Sequence, residues 1–110
     1  MVNVNEIIDN IKIELISLFE KKLLKIYLYG SYVRGDFDND SDIDIFCLVN
    51  MNNQSLTDFE NKITDIMVDL SLKYNVVVSI NLYSIDNFNR FYKISPYLKN
   101  VNDEGLLLYG

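Results

Sequence analysis

The chain has no histidine and no tryptophan, and only one cysteine, one proline and four glycines among its 110 residues. With Cys47 alone and no histidine, no Cys/His cluster exists to hold zinc and no intrachain disulfide can form. That usage fits a reducing cytoplasm. Positive charge is also short: Lys and Arg number 10 against 16 Asp and Glu, for a net charge of −6. Such a balance opposes polyanions in general and predicts no direct binding to nucleic acid. No apolar run approaches the roughly 20 residues that span a bilayer. Met1 is followed by Asn, Glu and Asp rather than by a basic, apolar leader. The expectation is a soluble, cytoplasmic protein with no membrane association. Repeats, low-complexity tracts and Pro- or Gly-rich linkers are missing too, so residues 1–110 read as a single domain with one core.

What the chain does have is periodicity. Asn3-Val4-Asn5-Glu6 has the form of a capping box. Val4, Ile7, Ile8, Ile11, Leu15, Leu18, Phe19 and Leu23 then recur at three- and four-residue steps, which predicts an amphipathic helix of about five turns. Lys21, Lys22 and Lys25 near its end complement the negative pole of a helix C-terminus. Leu24 to Tyr29, Asp42 to Val49 and Val76 to Tyr83 read as strands, and Leu106 to Tyr109 as a short closing strand. Asp36 to Asp40 reads as a polar loop. Ser55 or Thr57 is expected to cap a helix with Leu56, Phe59, Ile63, Ile66, Met67 and Leu70 as its buried stripe, ended by Tyr74-Asn75. Ser84 should cap a short helix carrying Phe88 and Phe91, and Pro96 should open a last polar helical turn or two. The order predicts an α/β (α+β) fold, a small mixed β-sheet with helices packed on it.

Alternation in the second strand puts Asp42, Asp44, Phe46 and Leu48 on one face and Ile43, Ile45, Cys47 and Val49 on the other. Cys47 is therefore expected to be inert packing, away from the basic setting that a nucleophilic thiolate needs. Two carboxylates at i and i+2 on a strand share a face, with Cα atoms roughly 7 Å apart. They repel unless a cation sits between them, so Asp42 and Asp44 read as half of a divalent-metal site. The linker between the first two strands is too short for a helical crossover, which predicts antiparallel neighbours with Gly30-Ser31 and Asp42/Asp44 at one sheet edge. Gly30-Ser31-Tyr32-Val33-Arg34-Gly35 supplies a tight turn with backbone amides, a hydroxyl and a guanidinium. Those groups suit the phosphates of a metal-bound nucleoside triphosphate, with Gly30 and Ser31 holding the terminal phosphates and Arg34 reaching them, or the rim carboxylates, as a planar fork. Either motif alone is commonplace; a Gly-Ser turn or an Asp-x-Asp pair on a half-exposed strand needs no ligand. Together they point to a nucleotide site.

Gly30-Ser31-x-x-Arg34-Gly35 followed by Asp42-x-Asp44 resembles the signature of the polymerase-β-type nucleotidyltransferase superfamily. In particular it is similar to the minimal nucleotidyltransferases that pair with HEPN-domain proteins as antitoxin and toxin. The resemblance is specific from Tyr29 to Val49; the tail from Ser84 to Tyr109 is similar to tails of this group but carries no chemical motif. It implies a polymerase-β-like fold, catalytic and Mg²⁺-binding roles for Asp42 and Asp44, and ATP as substrate. It also implies a HEPN-domain partner whose tyrosine receives AMP.

The chain departs from that pattern in the third strand, where fully active relatives carry a third carboxylate. Here the polar positions are Ser79 and Asn81. An asparagine can offer a carbonyl oxygen to a metal but cannot take up a proton. Asp86, the nearest acid downstream, falls in the first turn of a helix, where the dipole alone favours a carboxylate. Two other functions therefore stand beside the transferase. One is a catalytically degenerate relative that neutralises its partner by binding. The other, weaker because those relatives usually carry an extra helical domain, is a nucleotidyltransferase acting on an antibiotic or sugar.

Overall fold

Among the described residues, four strands form one sheet, in the order Val78–Ser84, Ile43–Val49, Leu23–Tyr29, Leu106–Tyr109, with helices on both faces. The computed structural model describes residues 3–35 and 41–110. The elements in chain order are α1 (Val4–Phe19), a 3₁₀ turn (Glu20–Lys22), β1 (Leu23–Tyr29), α2 (Ser31–Arg34), β2 (Ile43–Val49), α3 (Asn53–Thr57), α4 (Glu60–Tyr74), β3 (Val78–Ser84), α5 (Ile85–Phe91), α6 (Pro96–Glu104) and β4 (Leu106–Tyr109). The expected mixed sheet is present: β1 runs antiparallel to β2 and β4, and β2 runs parallel to β3. The crossover from β2 to β3 carries α3 and α4, as a parallel connection requires.

The alternation in β2 sorts the two cores. Ile43, Ile45, Cys47 and Val49 join Ile26, Leu28, Val78 and Ile80 beneath Ile7, Ile11 and Leu15 of α1 and Ile63 and Leu70 of α4. Phe46 and Leu48 face the other way and pack with Tyr27 and with Leu98 and Val101 of α6. Each such large apolar side chain, fully buried, contributes about 1.5–3 kcal/mol. Leu98 and Val101 thus anchor α6 across the sheet. Asn102 adds polar ties, accepting from the Tyr27 hydroxyl at 3.3 Å and donating to the Tyr92 hydroxyl at 3.2 Å.

Several boundaries differ from the sequence reading. α1 stops at Phe19, because Glu20 turns the chain at φ 52°, and Leu23 belongs to β1. Lys21 and Lys22 lie in the 3₁₀ turn and Lys25 in β1, so none occupies the last turn of α1. Asn3 does cap α1, accepting from the Glu6 amide at 3.2 Å. Neither Ser55 nor Thr57 caps the following helix. Asn52 accepts from the Ser55 amide at 2.8 Å and caps the short α3, while α4 starts separately at Glu60 without a side-chain cap. An Asn earlier in the chain competes with the same geometry, and a Thr57 hydroxyl bonded to the Gln54 carbonyl is tied to α3. β3 begins at Val78 rather than Val76, because Asn75 ends α4 in the left-handed conformation and Val76 still bonds back to Ser71. Ser84 and Ser95 cap α5 and α6. The loop expected at Asp36 to Asp40 lies outside the described residues.

Candidate active site

Where β1 ends and β2 begins, the sheet edge carries the turn at Gly30 beside Asp44. Gly30 adopts φ 81° and ψ −152°, a conformation open in practice only to glycine. A Cβ there would also lie 2.5 Å from Asp44 Oδ2, so a larger residue would displace that carboxylate. The turn feeds the single helical turn of α2, in which the Val33 and Arg34 amides bond to the Gly30 carbonyl at 3.1 and 3.2 Å. The Ser31 N–H precedes these first intrahelical bonds. Gly35, at φ 83°, ends the turn. A strand, a backbone reversal and one helical turn thus present Gly30, Ser31 and Arg34 to the carboxylate of the neighbouring strand.

Pairing across the sheet aligns Tyr29 with Asp44, and Asp44 with Ser79 of β3. Asp42 lies just before β2, exposed, where the Ile43 amide already bonds to the Val77 carbonyl at 2.8 Å. Asp44 is half-buried, and its pKa stands above the usual carboxylate value. Burial is the main cause, the charge of Asp42 adds to it, and the Arg34 guanidinium opposes both. The two carboxylates therefore repel each other in the protein alone, and Arg34 offsets part of that repulsion. Asp42 and Asp44, hard oxygen donors at a strand rim beside the Gly30-Ser31 turn, have the donor chemistry to hold a divalent cation. Among the described residues no group of three Asp, Glu, His or Cys converges.

The two candidate third positions are not equivalent. Ser79 sits directly beside Asp44, whereas Asn81 pairs with Phe46 one step further along β3. Asn81 is also engaged, its Nδ2 donating to the Tyr29 hydroxyl oxygen. The same oxygen accepts from the Tyr97 hydroxyl at 3.0 Å, and the two tyrosine rings meet edge to face at 5.7 Å between centroids. Burial and the bond to Tyr29 push the Tyr97 pKa upward. Cys47, fully buried and pushed up to about 12 by desolvation, is inert as expected.

A cavity of about 340 Å³ opens at this edge. Its floor and one side are Tyr29, Gly30, Ser31, Val33, Arg34 and Asp44. The rest of its lining comes from α6: Tyr97, Asn100, Val101 and Glu104. Asp42 is not part of that lining. The sequence reading found the floor but missed the α6 wall and Tyr29. The signal was present as i, i+3, i+4, i+7 spacing just after a helix-opening proline. It carried no chemistry until the sheet placed it opposite Gly30.

The chain is similar to known proteins in sequence and in fold. Two Methanocaldococcus jannaschii proteins, each provisionally named a protein adenylyltransferase, are similar in sequence. One is 38% identical over 84% of this chain and 85% of its own length, the other 36% identical over 71% and 77%. Among solved structures, a toxin–antitoxin complex with AMP-PNP superposes with a TM-score of 0.57 at 26% identity, over 94% of this chain and 73% of that one. A mutant of the toxin–antitoxin pair MntA-HpeT superposes with a TM-score of 0.55 at 26% identity, over 100% and 74%. The family model of the nucleotidyltransferase domain matches residues 8–104, and the chain belongs to that family.

Proposed function

We propose that this chain is a Mg²⁺-dependent adenylyltransferase of the antitoxin type, moving AMP from ATP to a hydroxyl of a partner toxin. The observation that carries the reading is the shared cavity edge, where the Gly30-Ser31 turn, Arg34 and Asp44 converge, with Asp42 just ahead of the same strand. Asp42 and Asp44 would hold the metal, which supplies charge neutralisation at the entering and leaving oxygens. The Ser31 amide and hydroxyl and the Arg34 fork orient the terminal phosphates. The acceptor oxygen attacks the α-phosphorus, the bond to the β-phosphate oxygen breaks, and pyrophosphate leaves while the hydroxyl proton passes to solvent. With no histidine in the chain, an acceptor that gives up its proton readily is favoured. A tyrosine, with a pKa near 10, fits better than a sugar or serine hydroxyl. The relatives named for protein adenylylation and the toxin–antitoxin neighbours support a protein acceptor. The family resemblance in the sequence supports a HEPN-domain toxin as that partner.

A second reading rests on Ser79, which stands beside Asp44 where a third carboxylate would complete the rim. In that reading the chain neutralises its partner by binding, with nucleotide as a structural ligand. Incubating the chain with the protein encoded beside it, Mg²⁺ and ATP, then weighing that partner by intact mass spectrometry, separates the two. An added AMP that vanishes in Asp42→Asn supports transfer. A tight complex with no change of mass supports the binder.

A further inference from the structure

The cavity has two chemically different sides. Arg34 and Ser31 suit phosphate oxygens, but the α6 part of the lining carries a carboxamide and a carboxylate, Asn100 and Glu104, alongside the Tyr97 ring and Val101. A carboxylate facing phosphates is repulsive, so the Glu104 end of the cavity is suited to hydrogen-bond donors instead. Among the described residues, no hydrogen bond or ion pair engages the side chain of Asn100 or Glu104. The Tyr97 ring, in contrast, is fixed: its hydroxyl donates to Tyr29, the two tyrosine rings stand nearly perpendicular, and it contacts Phe46 at 6.2 Å between centroids. A fixed aromatic ring and two unengaged polar side chains are components of a nucleoside site. The volume, about 340 Å³, lies in the range of small-molecule pockets.

We infer that the exposed residues of α6 at this cavity, Tyr97, Asn100 and Glu104, form the nucleoside wall of the site. Tyr97 presents its ring to the base, the Asn100 carboxamide pairs with the base edge, and Glu104 accepts from the ribose hydroxyls. A carboxamide offers a donor and an acceptor side by side, the pattern that matches a base edge. A carboxylate is acceptor-only and suits paired ribose hydroxyls, as in dinucleotide sites. The inference rests on the nucleotide-site reading above but not on transfer taking place.

The test measures affinities of the intact chain for Mg²⁺ with ATP, with 2′-deoxy-ATP and with inorganic tripolyphosphate. Asn100→Ala and Glu104→Ala are both at exposed positions, and circular dichroism confirms their folding. Each should weaken ATP by about fivefold or more while leaving tripolyphosphate unchanged. Glu104→Ala should weaken ATP more than 2′-deoxy-ATP, and Asn100→Ala should weaken both equally. Unchanged ATP affinity in both variants, or equal losses for ATP and tripolyphosphate, overturns the assignment. Wild type that binds ATP no better than tripolyphosphate overturns it as well. Failure of AMP transfer alongside the expected affinity pattern refutes the transferase and leaves the nucleoside wall standing.

Discussion

Replacing Gly30 with alanine tests the site at its tightest point, because two independent constraints meet there. The backbone at φ 81° and ψ −152° lies in a region that costs a side-chain-bearing residue about 1–3 kcal/mol. The added Cβ would also stand 2.5 Å from Asp44 Oδ2, whereas ordinary contact begins at 3.4 Å, so the carboxylate must swing away. Asp44 is a rim side chain and can swing, so the clash should appear as lost function more than as lost stability. The backbone term alone should lower the melting temperature by about 4–8 °C per kcal/mol in a domain near this size. Against a typical total stability of about 5–15 kcal/mol, the variant still folds. Gly35→Ala is the matched control. Its φ of 83° carries a left-handed penalty of about 1–2 kcal/mol. No described residue lies within 4 Å of the position its new methyl group would take, so Mg²⁺-ATP binding should be untouched. Thermal unfolding and calorimetric titration with Mg²⁺-ATP read both quantities. A Gly30→Ala protein that melts with wild type and binds Mg²⁺-ATP equally well would refute the reasoning.

Changing Asp42 and Asp44 together to Asn should abolish Mg²⁺-dependent ATP affinity in calorimetry while the fold, freed of their mutual repulsion, is kept. Arg34→Lys should weaken triphosphate binding more than adenosine binding, since an ammonium lacks the bidentate fork; equal losses would assign Arg34 a structural role. The raised Asp44 pKa means that the folded protein holds a proton more tightly than the unfolded chain. The stability of the metal-free protein should therefore fall as pH rises from the ordinary carboxylate value of 3.8 through the raised one and then level off, and denaturant titrations should show that decline reduced in Asp44→Asn. Ser79→Asp should raise the rate of AMP transfer to the partner, followed with labelled ATP, and should raise it more than Asn81→Asp does.

Most of the fold was legible because β2 states its own geometry. One strand with carboxylates, Phe46 and Leu48 on one face, and aliphatics with Cys47 on the other, fixes which helices cover which side. The short link from β1 to β2 likewise requires an antiparallel pair, and the register delivers Tyr29 opposite Asp44. Helix starts were less legible. Asn52, Ser55 and Thr57 are all competent caps, and only the break between α3 and α4 shows that Asn52 is used. The α6 wall was illegible for a different reason. Tyr97, Asn100 and Glu104 lie far beyond Asp44 in the chain. Their relevance depends on how Leu98 and Val101 seat α6 across the sheet, a tertiary fact with no local signature.

The register of β3 also separates the two positions proposed for a third carboxylate. By alternation alone Ser79 and Asn81 are equal candidates, since both face the same side of their strand. In the sheet only Ser79 is Asp44's direct neighbour; Asn81 is paired with Phe46 and holds Tyr29, which in turn holds Tyr97. Asn81 thus belongs to the scaffold that fixes the aromatic wall, and an aspartate there would exchange a donated hydrogen bond for a carboxylate facing a tyrosine oxygen. A carboxylate at Ser79 disturbs no hydrogen bond among the described residues and adds its charge beside Asp44, where a cation would gain most from it. The same added charge would raise the repulsion already felt by Asp44 in the metal-free protein. Ser79 therefore trades metal affinity against the stability of the empty rim, which is the physical reason a chain that needs only slow transfer, or only binding, could carry serine there.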